Sequence, residues 1–173
     1  MKVKSREFQL SPLTSYSLLE ISGTKRRSLS KILTLKNLAY LEVPTTRLSV
    51  GTRCIGLFRE NPNKPGDYYS GVIAEPPKNL NKNRYLVFFD DGYANYIHHE
   101  DLRLVCSQTS PKVWTDVHPN SKEFVKTYLD RYPERPMVRL VPGQQVKAEY
   151  RGEWRQTRVV QVDASLVKVS NSQ

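Results

Sequence analysis

The chain has 173 residues, a formal net charge of +10, 38% hydrophobic residues and a mean hydropathy of -0.57. That apolar content is low for one large core and suits small units with a high surface-to-volume ratio. No apolar run approaches the ~18 residues of a membrane span, and Met1-Lys2-Val3-Lys4-Ser5-Arg6-Glu7 contains no signal-peptide core, so a soluble intracellular protein is expected.

In chain order, Leu18–Gly23 and Leu29–Leu35 read as two strands around the basic turn Thr24-Lys25-Arg26-Arg27, and Pro44–Ser49 reads as linker. From Gly51 the pattern sharpens. Strands are predicted at Arg53–Phe58, Tyr68–Ala74, Arg84–Phe89 and Asn95–Ile97, joined by Arg59–Asp67 and Glu75–Asn83, which are rich in Asn, Pro and Gly. Closely spaced strands without helical periodicity argue for a small antiparallel barrel. His98–Leu102 reads as one helical turn before a last short strand, Arg103–Cys106. Within the barrel, Cys54 reads as a small core residue, and Phe88, alternating with Leu86, also reads as core. Both Cys54 and Cys106 are expected as free thiols.

Ser121–Leu129 then opens with a capping Ser and places Phe124 and Tyr128 one turn apart, which predicts a connecting helix stopped at Tyr132-Pro133. Strand signals resume at Gln145–Tyr150, Trp154–Val162 and Ser165–Val169, with a tight Arg151-Gly152 turn. Val146-Lys147-Ala148-Glu149-Tyr150 weakly repeats Cys54-Ile55-Gly56-Leu57-Phe58. A barrel begun here still has two strands to come when the sequence stops at Gln173, so residues 138–173 are expected to be an incomplete, loosely ordered module. The expected division is therefore 1–50, a degenerate first module and linker; 51–110, a barrel; 111–136, a connecting segment; and 137–173, an incomplete barrel.

Charge is distributed unevenly. Residues 1–50 hold 9 Lys or Arg against 3 acids, residues 51–110 hold 7 against 7, and residues 111–173 hold 11 against 7. Between Arg84 and Arg103 there is no cation, while Asp90, Asp91, Glu100 and Asp101 lie there. A neutral central unit with a local acidic stretch suits a cationic ligand better than a phosphate backbone. Enzyme chemistry finds no support: there is no phosphate-binding glycine loop, nucleophile elbow or zinc-ligand spacing. Adjacent His98 and His99 read as solvated surface.

The run Val87-Phe88-Phe89-Asp90-Asp91-Gly92-Tyr93-Ala94-Asn95-Tyr96 carries the most information. With Gly51–Phe58 and Tyr68–Ile73 it resembles a Tudor domain of the methyl-lysine-reading kind. From Asn37 to Val169 the chain resembles the tandem Tudor region of the SET-domain-bifurcated (ESET/eggless class) histone-lysine methyltransferases, with nothing similar to their catalytic part. The resemblance implies an all-β fold of tandem small SH3-like barrels joined by a short helix. It also implies a non-catalytic, nuclear reader of methylated histone tails within a chromatin repressor complex, with no cofactor, metal or catalytic residue.

By that resemblance the methyl-lysine cage falls on Phe58, Tyr69, Phe89 and Tyr93, with Asp91 placed to accept the N–H of a mono- or dimethyl-lysine. Phe58 stands where many members have Trp. Asp90 and Asn95 read as turn residues. A secondary groove is implied around Phe124, Tyr150 and Trp154. There Phe124 either lines the groove or staples the barrels, and Trp154 reads first as a packing residue because Arg155 replaces another aromatic. The alternatives are a nucleic-acid-binding barrel that uses the basic flanks, and a scaffold with an unoccupied cage.

Overall fold

Alternation governs the centre of the chain. In the computed structural model, which describes residues 2–9, 15–22, 29–34, 38–59, 65–108, 112–134, 138–150 and 152–171 (backbone only before residue 38), eleven strands and one α-helix are present among the described residues. Three strands, β1 (Lys2–Gln9), β2 (Ser15–Ser22) and β3 (Leu29–Thr34), form an antiparallel sheet in sequence order. The sequence had suggested only the last two of them. The expected basic turn Thr24–Arg27 lies outside the described residues, as do Asn61–Lys64 of the first barrel loop and Arg151 of the later turn.

The central unit holds β4 (Arg53–Phe58), β5 (Asp67–Glu75), β6 (Tyr85–Phe89), β7 (Ala94–Ile97) and β8 (Leu102–Leu104). Their order, β7-β6-β5-β4-β8, is an antiparallel meander in which the last strand returns to pair with the first. All five residues of β6 are buried because both faces of the sheet are covered. The inner face gathers Cys54, Ile73, Tyr85, Val87, Phe89, Ile97 and Leu102. The outer face carries Val72, Ala74, Leu86, Phe88 and Tyr96 against Val117 and Val125. A bulge between Ile73 and Glu75 leaves Ala74 without a partner on β6. Cys54 is fully enclosed, and burial pushes its thiol up to about 12, so it stays protonated at neutral pH.

Pro44–Ser49 does not behave as linker. Leu48 is buried in the inner core and its N–H donates to Tyr85 Oη (3.1 Å), while Pro44 O meets His99 Nε2 (2.6 Å). Ala39 bridges to Val105 farther along the same edge. His99 is accordingly half-buried, its ring 5.8 Å from that of Tyr85, rather than solvated; it belongs to a 3-10 turn, His99–Asp101.

Helix α1 (Pro119–Arg131) starts two residues before the expected Ser121. His118 is the cap, its Nδ1 accepting from Asn120 N–H (3.3 Å), and Pro119 sits at the first turn, where a missing N–H costs nothing. The shared face of Phe124 and Tyr128 meets Phe88 on the barrel, with centroids 5.6 and 4.9 Å away. Strands β9 (Gln145–Tyr150), β10 (Glu153–Asp163) and β11 (Leu166–Asn171) form a third antiparallel sheet, within about two residues of the sequence expectation. Its β10–β11 corner docks on the barrel itself, not on the helix alone. Arg84 pairs with Asp163 (2.6 Å) while lying 4.7 Å over the Tyr96 ring, and Ser165 N–H donates to Tyr96 Oη (3.0 Å).

Candidate functional site

Register decides which side chains reach the open end of the barrel. Phe58 ends β4 opposite Asp67, and Gly56 lies opposite Tyr69, so Phe58, Asp67 and Tyr69 share the inner face. Phe89 ends β6 opposite Gly71 on that same face. Gly56 leaves room for the Phe89 ring, which would stand only 3.2 Å from an added Cβ. At Gly71 an added Cβ would come within 2.7 Å of Phe88 O and 2.8 Å of a Val87 methyl, so glycine is needed for β5 and β6 to approach.

Three rings then stand as mutually steep walls. Phe58, Tyr69 and Phe89 have centroid separations of 6.1–6.5 Å and interplanar angles of 68–76°. A cation above the centre of that triangle lies within ~6 Å of all three centroids, inside the range of cation–π attraction. The cup they begin has a volume of about 460 Å³, and its lip is formed by Pro65, Asp67, Asp91, Tyr93, Ala94 and Asn95. Phe89 is its floor at 3% exposed, Tyr69 a side wall at 40%, and Tyr93 an outer wall at 76%. All five expected cage residues therefore line one cavity.

The turn after β6 shapes the lip. Gly92 (φ +95°) takes the left-handed conformation and its N–H donates to Phe89 O (3.0 Å); Tyr93 N–H donates to Asp91 Oδ1 (3.1 Å). Asp90, expected only as a turn residue, accepts a two-pronged ion pair from Arg53, at 2.6 and 2.5 Å. Burial pulls the Arg53 pKa down, but hydrogen bonding to Asp90 and its charge outweigh this, and the net shift is upward.

Sequence reasoning passed over Asp67 and Pro65, and it read Asn95 as a turn side chain although Asn95 also lines the cup. The signal for Asp67 was available: it precedes Tyr69 by two residues in a strand and so faces the same way.

The secondary site divides differently. Phe124, 61% exposed, lines a second hollow of about 730 Å³ with Phe88, Tyr128, Leu140, Leu166 and Val167. Tyr150 and Trp154 do not line it. Glu153 pairs with Tyr150, and Trp154 with Glu149, so the two aromatics stand on opposite faces of the β9–β10 ribbon and cannot share one groove. Trp154 is 69% exposed rather than packed, and Tyr150 lies under the Arg155 guanidinium at 5.5 Å. Among the described residues, no group of three or more His, Cys, Asp or Glu could hold a metal ion.

This aromatic-walled cup sits in a stretch that known families recognise. A family profile described as "Histone methyltransferase Tudor domain 1" matches residues 48–101, and one described as "Histone methyltransferase Tudor domain" matches residues 140–173. The chain carries Tudor domains of the histone methyltransferase type. Its first matched Tudor domain begins at Leu48, in keeping with the place of Leu48 in the core. The chain is 48% identical over 145 residues to "Histone-lysine N-methyltransferase eggless" of Drosophila pseudoobscura pseudoobscura. It is 44% identical over 146 residues to the protein of the same name from Drosophila melanogaster. Each match covers 79% of this chain and 12% of the relative.

Proposed function

We propose that the central Tudor barrel binds a methylated lysine of a histone tail, without chemistry, and that it does so at chromatin in the nucleus. The supporting observation is the box of Phe58, Tyr69 and Phe89, three rings at steep mutual angles with an acidic lip. Methylation removes N–H donors from an ammonium group but keeps its charge, and π-faces attract that charge where hydrogen bonds cannot. Asp67 and Asp91 add negative charge at the rim, matching a lysine-rich peptide. The relatives are named as histone-lysine methyltransferases, which favours a histone as the source of the peptide; a chromatin repressor assembly as its setting is part of the proposal.

Calorimetric titration at two salt concentrations tests this. A methyl-lysine histone peptide should bind, an unmodified one much less, and affinity should change only modestly between ~50 and ~200 mM salt because the pocket is partly dry. Binding of DNA or RNA that falls by orders of magnitude over that range, with no methyl discrimination, would instead assign the protein to phosphate recognition.

A further inference from the structure

The turn Asp90–Tyr93 supplies two of the five cage residues, yet neither Asp91 nor Tyr93 is packed in the core: both are exposed. Something else must hold them. The backbone of the turn is tied by Asp90 N–H to Ser70 O (2.9 Å), Phe89 N–H to Tyr93 O (2.8 Å) and Gly92 N–H to Phe89 O (3.0 Å). Behind it, on the outer face of the sheet, Arg53 grips both carboxylate oxygens of Asp90, with both side chains largely shielded from solvent. Arg53 is itself fixed at its backbone: its N–H donates to Gln108 Oε1 (2.8 Å) and its carbonyl accepts from Gln108 Nε2 (2.7 Å). From the helix side, His118 N–H donates to Asp90 O (2.7 Å), and Ser121 Oγ lies 3.0 Å from where a Cβ on Gly92 would be.

We infer that Arg53 and Asp90 are positioning residues that set which methylation state the cup prefers, by holding Asp91 at the lip. This rests on the proposed methyl-lysine reading. Asp91 Oδ1 is engaged by Tyr93 N–H, which leaves Oδ2 for a ligand. A dimethyl-ammonium has one N–H to give to that oxygen and a trimethyl-ammonium has none. A directional hydrogen bond depends on where the carboxylate sits, whereas attraction between the rings and a cation is tolerant of small shifts. Loosening the turn therefore acts on dimethyl-lysine more than on trimethyl-lysine. Lysine at position 53 keeps the charge but cannot make the planar two-pronged contact.

The test compares wild type, Arg53→Lys and Asp90→Asn, with Arg84→Lys as a control ion pair of similar burial away from the cup. In Arg53→Lys, affinity for a dimethyl-lysine peptide should fall about fivefold, while affinity for the trimethyl peptide changes by less than about twofold. Asp90→Asn, which keeps the backbone bonds of residue 90, should move the same ratio in the same direction. Arg84→Lys should not move it. In the free protein, backbone order parameters of Asp91–Tyr93 in Arg53→Lys should drop from ~0.85 toward ~0.6, with Val72 and Val87 unchanged. An unchanged dimethyl-to-trimethyl ratio with an equally rigid turn would overturn the inference. A wild-type protein that binds no methylated peptide would sink the proposed function and the selectivity with it. The relaxation data would still decide whether the pair holds the lip.

Discussion

Replacing Phe89 with Ala is expected to destabilise the central barrel by about 3–5 kcal/mol, enough to remove much of a small domain's stability. A cage ring that only faced the open end would spare the fold when truncated. Phe89 is different: it is 3% exposed and belongs to the inner core with Tyr85, Val87 and Ile97. Truncation leaves a cavity beneath the cup, and Gly56, having no side chain, cannot fill it. Chemical denaturation of the variant measures the loss. An unfolding free energy within about 1 kcal/mol of wild type would mean that the inner face repacks around the missing ring.

Tyr69 offers the cleaner separation of binding from folding. Its side wall is 40% exposed, so Tyr69→Ala should change stability by less than about 1 kcal/mol. Methyl-lysine binding should weaken by at least ~1 kcal/mol, about fivefold, because one of three π-faces is lost. A folded Tyr69→Ala protein with wild-type affinity in calorimetry would remove Tyr69 from the cage.

Much of this was legible in period-two patterning and turn chemistry. The four central strands were readable because β4 to β7 alternate between inner and outer neighbours, and Asp90-Asp91-Gly92 marks a turn on sequence grounds alone. The convergence of Phe58, Tyr69, Phe89, Asp91 and Tyr93 came from resemblance, and the strand register then brings them to one cavity. What stayed hidden depends on contacts distant in sequence. Arg53 and Asp90 are 37 residues apart, and nothing local marks Arg53 as more than an exposed strand end. Leu48 looked like linker because its partner, Tyr85, lies 37 residues on. The pairing of Tyr150 with Trp154 failed for the opposite reason. Both residues suit a cage, but the β9–β10 register puts their side chains on opposite faces.

The central claim is that the cup holds a cation by its π-faces, and charge can be tested apart from shape. Calorimetry would compare one histone peptide carrying trimethyl-lysine with the same peptide carrying a neutral tert-butyl isostere, in which carbon replaces the ammonium nitrogen. Binding by Phe58, Tyr69 and Phe89 through cation–π attraction predicts that the neutral peptide is weaker by at least ~1 kcal/mol. Equal affinity for the two peptides would contradict that claim and leave the cup as a hydrophobic pocket.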